Sequence, residues 1–164
     1  MSTVIIKLEA DISTDDIYPG RYMATVLPSE TPQYAFANRT DLNEKLRSGQ
    51  FPKGSAIVAG HNFGCGSSRE QAASALKGFE LGIVAQSMSR IFLQNAINLG
   101  LNVVLCPTIE AEEGHELEIQ VDQVTNLTTG QVFPVVKLPE ARQSIIDAGG
   151  LIPYTRKRML ETVK

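Results

Sequence analysis

Tryptophan is absent, and cysteine and histidine occur only twice each. Two thiols, Cys65 and Cys106, cannot supply the four ligands that a structural zinc or an iron–sulfur cluster takes. His61 and His115 stand far apart, so no metal site is read in this chain. No apolar run approaches the roughly 20 residues that cross a bilayer. The start "MSTVIIKLEA" lacks the basic region and apolar stretch of a signal peptide. Neither sign of charge dominates: 15 basic and 18 acidic residues are interspersed, giving a net charge of −3. That balance excludes a nucleic-acid stripe and a polybasic membrane patch. The one basic run, "TRKRM" at 155–159, reads as a solvated tail or a helix-end cap. Free thiols fit a reducing, cytoplasmic setting. The hydrophobic fraction of 43% and charged fraction of 20% over 164 residues suit one globular domain spanning 1–164.

The middle of the chain has the clearest pattern. Short apolar runs at 55–60, 81–87 and 101–107 read as buried strands. Between them, 68–79 and 89–100 read as helices, the second ended by Gly100. This β-loop-α-β-α-β order predicts an α/β fold with parallel strands and right-handed crossovers. Ahead of it, "TVIIKL" at 3–8 is a strand, 10–23 a loop turning at Pro19-Gly20, and 24–33 an irregular, mobile connection. Residues 33–38 and 41–49 read as short helices, the second capped by Thr40 or Asp41 and ended by Gly49. Downstream, 115–122 alternates like a half-buried strand, and 123–138 reads as a hairpin around Thr129-Gly130. A last helix is expected over 138–151, with Pro139 in its first turn and Gly149 or Gly150 at its end.

"GHNFGCGSSREQ" at 60–71 concentrates small and reactive residues between a strand and a helix. Such a loop aims free N–H groups along the positive end of a helix dipole. Gly60, Gly64 and Gly66 allow positive φ and close approach to a ligand. An anion nest is expected, with the Ser67 and Ser68 hydroxyls at its rim. Arg69 opposes the dipole unless a carboxylate faces it, from a ligand, from Glu70 or from another side chain. A plain turn with a serine N-cap and a solvent-facing arginine is the bland alternative. The dinucleotide fingerprint fails because Arg69 stands where its third glycine belongs, and a P-loop fails for want of lysine. Cys65 is a possible nucleophile, since a helix N-terminus stabilises a thiolate. His61, four residues before it, reads as a loop histidine. A serine base is the remaining version. Its alkoxide needs several amide donors and a cation, the parts an oxyanion hole has.

"NFGCGSSREQAA", with "SRIFLQNAINLGLNVV" after it and "DISTDDIYPGRYM" before it, resembles the swivelling domain of the aconitase superfamily. In length and motif detail it is similar to the separate small subunits of 3-isopropylmalate dehydratases. The specific motifs cover about the first two thirds of the chain. The resemblance implies a single swivelling β/β/α domain with the parallel βαβαβ core, a C-terminal hairpin and a helix. It implies a large partner subunit, in a heterodimer or heterotetramer, that carries a [4Fe-4S] cluster acting as a Lewis acid; no cofactor is expected on this chain. Carried across by position, Ser67 is the base that removes a proton beside a carboxylate. Ser68 and Gly66 serve substrate binding, and Arg69 clamps a carboxylate. Dehydration and rehydration then isomerise a small hydroxy-dicarboxylic acid.

Family members select substrate with a tetrapeptide that here is Tyr22-Met23-Ala24-Thr25. Homoaconitase-like members carry arginine at its third place; Ala24 cannot pair with a carboxylate and favours an apolar group such as isopropyl or methyl. Thr25 matches the homoaconitase-like ending, so the pattern is mixed. Met23 is a substrate contact or simple packing, and Arg21 a second carboxylate contact or a solvent-facing residue. Many relatives have histidine where this chain has Gln71. The leading expectation is isomerisation of 2- and 3-isopropylmalate in leucine biosynthesis. A dimethylmalate- or homoaconitate-type hydro-lyase, or a non-catalytic anion-binding module, remains as the alternative.

Overall fold

A computed structural model describes residues 1–163. Its strands are β1 (Ser2–Leu8), β2 (Ala56–Ala59), β3 (Gly82–Ala85), β4 (Val103–Leu105), β5 (Glu116–Ile119), β6 (Gln123–Asn126) and β7 (Val132–Pro134). Its helices are α1 (Thr14–Ile17), α2 (Thr40–Ser48), α3 (Glu70–Lys77), α4 (Arg90–Leu99), α5 (Glu140–Asp147) and α6 (Leu151–Thr162). The sheet order is β4-β3-β2-β1-β5-β6-β7. β1 to β4 run parallel, as the βαβαβ pattern requires, and β5 to β7 add antiparallel ladders.

β1 divides the sheet. Its first residues, Ser2 and Thr3, pair with β5, while Val4 to Leu8 pair with β2. A bridge between Leu105 and Val136 draws the far edges together. The antiparallel strands thereby lie against one face of the parallel sheet and the helices against the other. Strand alternation then feeds two cores. Ile57, Ala59, Ile83 and Ala85 face Ala72, Leu76, Phe92 and Ile97 of the helices. Ala56, Val58 and Val84 face Leu117, Val124, Phe133 and Cys106. Burial on both faces explains why β2 and β3 read as continuous apolar runs rather than alternating ones. This is the β/β/α layering that the resemblance implied.

Several local expectations give way. The loop over 10–23 contains α1, closed by a capping box in which Ser13 and Asp16 bond each other's backbone N–H. Residues 33–38 form no α-helix: a 3-10 turn covers Thr31–Tyr34, and Phe36, at φ 52°, turns the chain away. Arg39 rather than Thr40 or Asp41 stands at the N-cap of α2 and makes no side-chain cap bond; Gly49 ends the helix as expected. The strand over 115–122 stops at Ile119 and turns into β6, so two hairpins replace one strand and one hairpin. The helix over 138–151 ends at Asp147, and a further helix, α6, follows Gly149-Gly150. The run 155–159 therefore lies inside a helix and is neither tail nor cap. α6 buries none of its residues, so it has no apolar stripe for a sequence reading to find.

Candidate active site

The glycine-rich stretch joins β2 to α3 and runs beside the segment that follows β1. The Gly64 N–H donates to the Ile12 carbonyl at 2.7 Å, and the Thr14 N–H donates to the Cys65 carbonyl at 2.8 Å. The Thr14 hydroxyl donates to the Ser67 carbonyl at 2.8 Å. On the other side Ser89, the N-cap of α4, donates its hydroxyl to the Gly64 carbonyl at 2.6 Å. The loop backbone is thus fixed from both flanks before the helix begins.

The glycines do different work from that expected. Gly60 keeps an ordinary φ; a Cβ there would come within 2.8 Å of the Ala10 backbone nitrogen. Gly64, at φ 76°, passes so close to Phe92 that any side chain would overlap its ring. Both glycines make room for the chain's own packing, not for a ligand. Gly66, exposed and at φ 96°, is less crowded: a Cβ there would come no nearer than 3.5 Å, to Thr14 Oγ1. Ser67 and Ser68 beside it are exposed. Among the described residues, no backbone carbonyl accepts from the N–H groups of Gly66, Ser67 or Ser68. The serine N-cap is also corrected: Arg69 holds that position and α3 starts at Glu70. A serine spared from capping leaves its hydroxyl free for other partners.

Arg69 has a carboxylate to face, and it is Asp15. Its Nη1 donates to Asp15 Oδ1 and, at 3.1 Å, to the Tyr18 carbonyl. The Arg69 hydrogen bond, then the Gly20 N–H bond at 3.0 Å, hold the Asp15 carboxyl below the usual carboxylate range. Arg69 is thereby pinned between the serine loop and the turn at Gly20–Tyr22. Neither Asp15 nor Tyr18 carried a role in the sequence reading. The capping-box spacing Ser13-x-x-Asp16 was the one local sign that this segment is ordered.

The Tyr22–Thr25 tetrapeptide lies on the same side. The buried Tyr18 hydroxyl donates to the carbonyls of Tyr22 at 3.2 Å and Thr25 at 3.3 Å, and burial raises its pKa. Gln71 Nε2 donates to the Met23 carbonyl at 3.2 Å. Met23 and Ala24 are exposed, and Thr25 is half-buried. Arg21 turns elsewhere: it bonds Asn38 and lies 4.6 Å above the Tyr22 ring, which stacks on Tyr34 at 4.0 Å. The structure therefore gathers Gly66, Ser67, Ser68, Arg69, Met23, Ala24 and Thr25 around the start of α3 and leaves the Arg21 guanidinium engaged by Asn38. His61 is exposed beside Ser87, and half-buried Cys65 offers its carbonyl to the Thr14 N–H.

Two features lie apart from this ledge. A cavity of about 720 Å³ opens between β4 and 135–138, and none of the residues just gathered lines it. Among the described residues, no group of three or more His, Cys, Asp or Glu side chains converges as a metal site. Cys106, buried and donating to the Pro134 carbonyl, is pushed up to about 11 by burial. The residues of this chain do not fit an iron–sulfur cluster. Among them, no helix is long and apolar enough to cross a membrane.

A β/β/α domain with an exposed serine loop at the head of a helix defines the aconitase-type class, and residues 28–107 match the Aconitase C-terminal domain family. The isopropylmalate/citramalate isomerase small subunit of Methanocaldococcus jannaschii is 41% identical over 162 residues, covering 95% of this chain and 94% of that protein. The 3-isopropylmalate dehydratase small subunit of Methanosarcina acetivorans is 41% identical over 160 residues, covering 94% and 96%. A solved structure of 3-isopropylmalate dehydratase (LeuD) from M. jannaschii superposes with a TM-score of 0.87 at 33% identity, over 98% of this chain and 96% of that one. The chain belongs to the family of 3-isopropylmalate dehydratase small subunits and is a hydro-lyase subunit.

Proposed function

We propose that this chain is the small half of a two-subunit isomerase that interconverts 2- and 3-isopropylmalate in leucine biosynthesis. The observation that carries the reading is the exposed Gly66-Ser67-Ser68 turn, held beside Arg69 in a chain that its relatives match almost end to end. On this reading the 1–164 chain works as one swivelling unit in the cytoplasm. A large subunit supplies the [4Fe-4S] cluster, for which this chain has no fitting ligands; that group, when bound, supplies Lewis-acid chemistry at the substrate hydroxyl.

The chain's own residues then have defined tasks. Ser67, held as its alkoxide by the free N–H groups of the turn, takes the proton from the carbon beside a carboxylate, and the negative charge passes to the substrate. Ser68 and Gly66 donate hydrogen bonds to substrate oxygens. Arg69 uses Nη1 on Asp15 and presents the rest of its planar fork to a substrate carboxylate. Ala24 and Met23 face the apolar side group. One relative carries both isopropylmalate and citramalate in its name, so a methyl-bearing substrate belongs in the test beside the isopropyl one.

Co-expression with the cluster-bearing large subunit of the same source, purified without oxygen, tests the reading. Isomerisation of isopropylmalate by the complex and none by either subunit alone is the expected result. Tight dicarboxylate binding by this chain alone, with an inactive complex, would establish a binding module instead.

A further inference from the structure

Gln71 and Ser74 on one face of α3 and Gly78 at its C-cap recur at helical spacing, and each meets the segment that follows Tyr22. Gln71 donates to the Met23 carbonyl at 3.2 Å. The Ser74 and Thr31 hydroxyls lie 3.0 Å apart, with Thr31 fully buried. A Cβ on Gly78 would overlap Pro32, so that turn sits flush on the helix. Between the first and second of these ties runs 24–30, which exposes Val26 (65%) and Leu27 (54%). The expected mobile connection is thus laced to α3 at both ends. The first tie is special because α3's opening turn follows directly on Ser67, Ser68 and Arg69.

We propose that Gln71 is a positioning residue: its hydrogen bond to Met23 sets how far Met23-Ala24 stand from Ser67, and so sets the side-group selectivity of the site. The inference rests on the functional reading above only for its substrate arm. The Met23 carbonyl can accept but never donate, so the tie needs an N–H at position 71. Tyr18 fixes the loop from within, through Tyr22 and Thr25. Among the described residues, Gln71 alone hydrogen-bonds Met23–Thr25 to α3.

The test uses three variants. Gln71→Glu is isosteric but cannot donate, Gln71→Met keeps bulk without polarity, and Gln71→His restores a ring N–H. Each is measured in the complex with the large subunit, on isopropyl- and methyl-bearing malates. Gln71→Glu and Gln71→Met should each shrink the ratio of the two kcat/KM values by about tenfold, the order of discrimination carried by one methylene. The change should appear in KM more than in kcat, and Gln71→His should bring the ratio back toward the parent. Ratios unchanged in both donor-free variants overturn the proposal, as does an equal kcat loss on both substrates. Hydrogen exchange on the chain alone gives a second readout: the Met23 N–H, bonded to the Gly20 carbonyl, and the Thr25 N–H, bonded to the Tyr22 carbonyl, should exchange faster in Gln71→Glu while Thr31–Tyr34 keep their protection. If the parent complex is inactive, the functional reading fails, and unchanged exchange at Met23 and Thr25 still overturns the tether.

Discussion

Arg69 shows how a side chain that looks misplaced in isolation is satisfied by tertiary structure. A cation at the head of α3 opposes the helix dipole, and Asp15, 54 residues away in sequence, answers it. That the arginine needs a carboxylate was legible; which carboxylate was not, because only the parallel run of two loops brings it near. The Asp15 carboxyl is held below its ordinary value of 3.8, chiefly by Arg69. A lowered value means the pair is intact above the usual carboxylate range and is lost only as pH falls through the lowered one. Acid titration of the Arg69 guanidinium signals by NMR should therefore midpoint below 3.8 and vanish in Asp15→Asn; a midpoint at the ordinary value would count against the pair. The two cysteines separate just as clearly. Buried Cys106, at about 11, should resist an alkylating reagent near neutral pH that modifies half-buried Cys65. Mass spectrometry of the native chain checks this, and labelling of Cys106 first would contradict it.

Elements with an apolar rhythm were readable, and those held by backbone contact were not. β2, α3, β3, α4 and β4 bury regular faces, so their order declared parallel strands. α6 buries no side chain and is joined through Gly149-Gly150, whose backbone packs directly on Gly100 at the end of α4. α1 is a single capped turn, legible only through its capping box. The serine loop belongs to the same class, because its shape depends on Gly64 lying flat against Phe92. Gly64→Ala adds both a steric overlap and a side chain at positive φ, and should destabilise the chain by about 2–5 kcal/mol. Denaturant unfolding reads this directly, and a loss under about 0.5 kcal/mol would mean that the contact with Phe92 does not shape the loop.

Taken as a whole, the molecule is two cores sharing one parallel sheet, with the serine ledge at one end of that sheet and its face open. The layering followed from strand patterns together with the family resemblance. The role of β1 as the divide, and the closure of the far edges by Leu105 and Val136, did not, since neither has a local signature. The functional account stands on Ser67 acting from this exposed ledge. Steady-state isomerisation of isopropylmalate by the anaerobic complex carrying Ser67→Ala, with complex formation checked by gel filtration, decides the matter. The account predicts an intact complex and turnover reduced about a hundredfold or more. An intact complex that keeps activity within about tenfold of the parent, a barrier change of only about 1.4 kcal/mol, would contradict it.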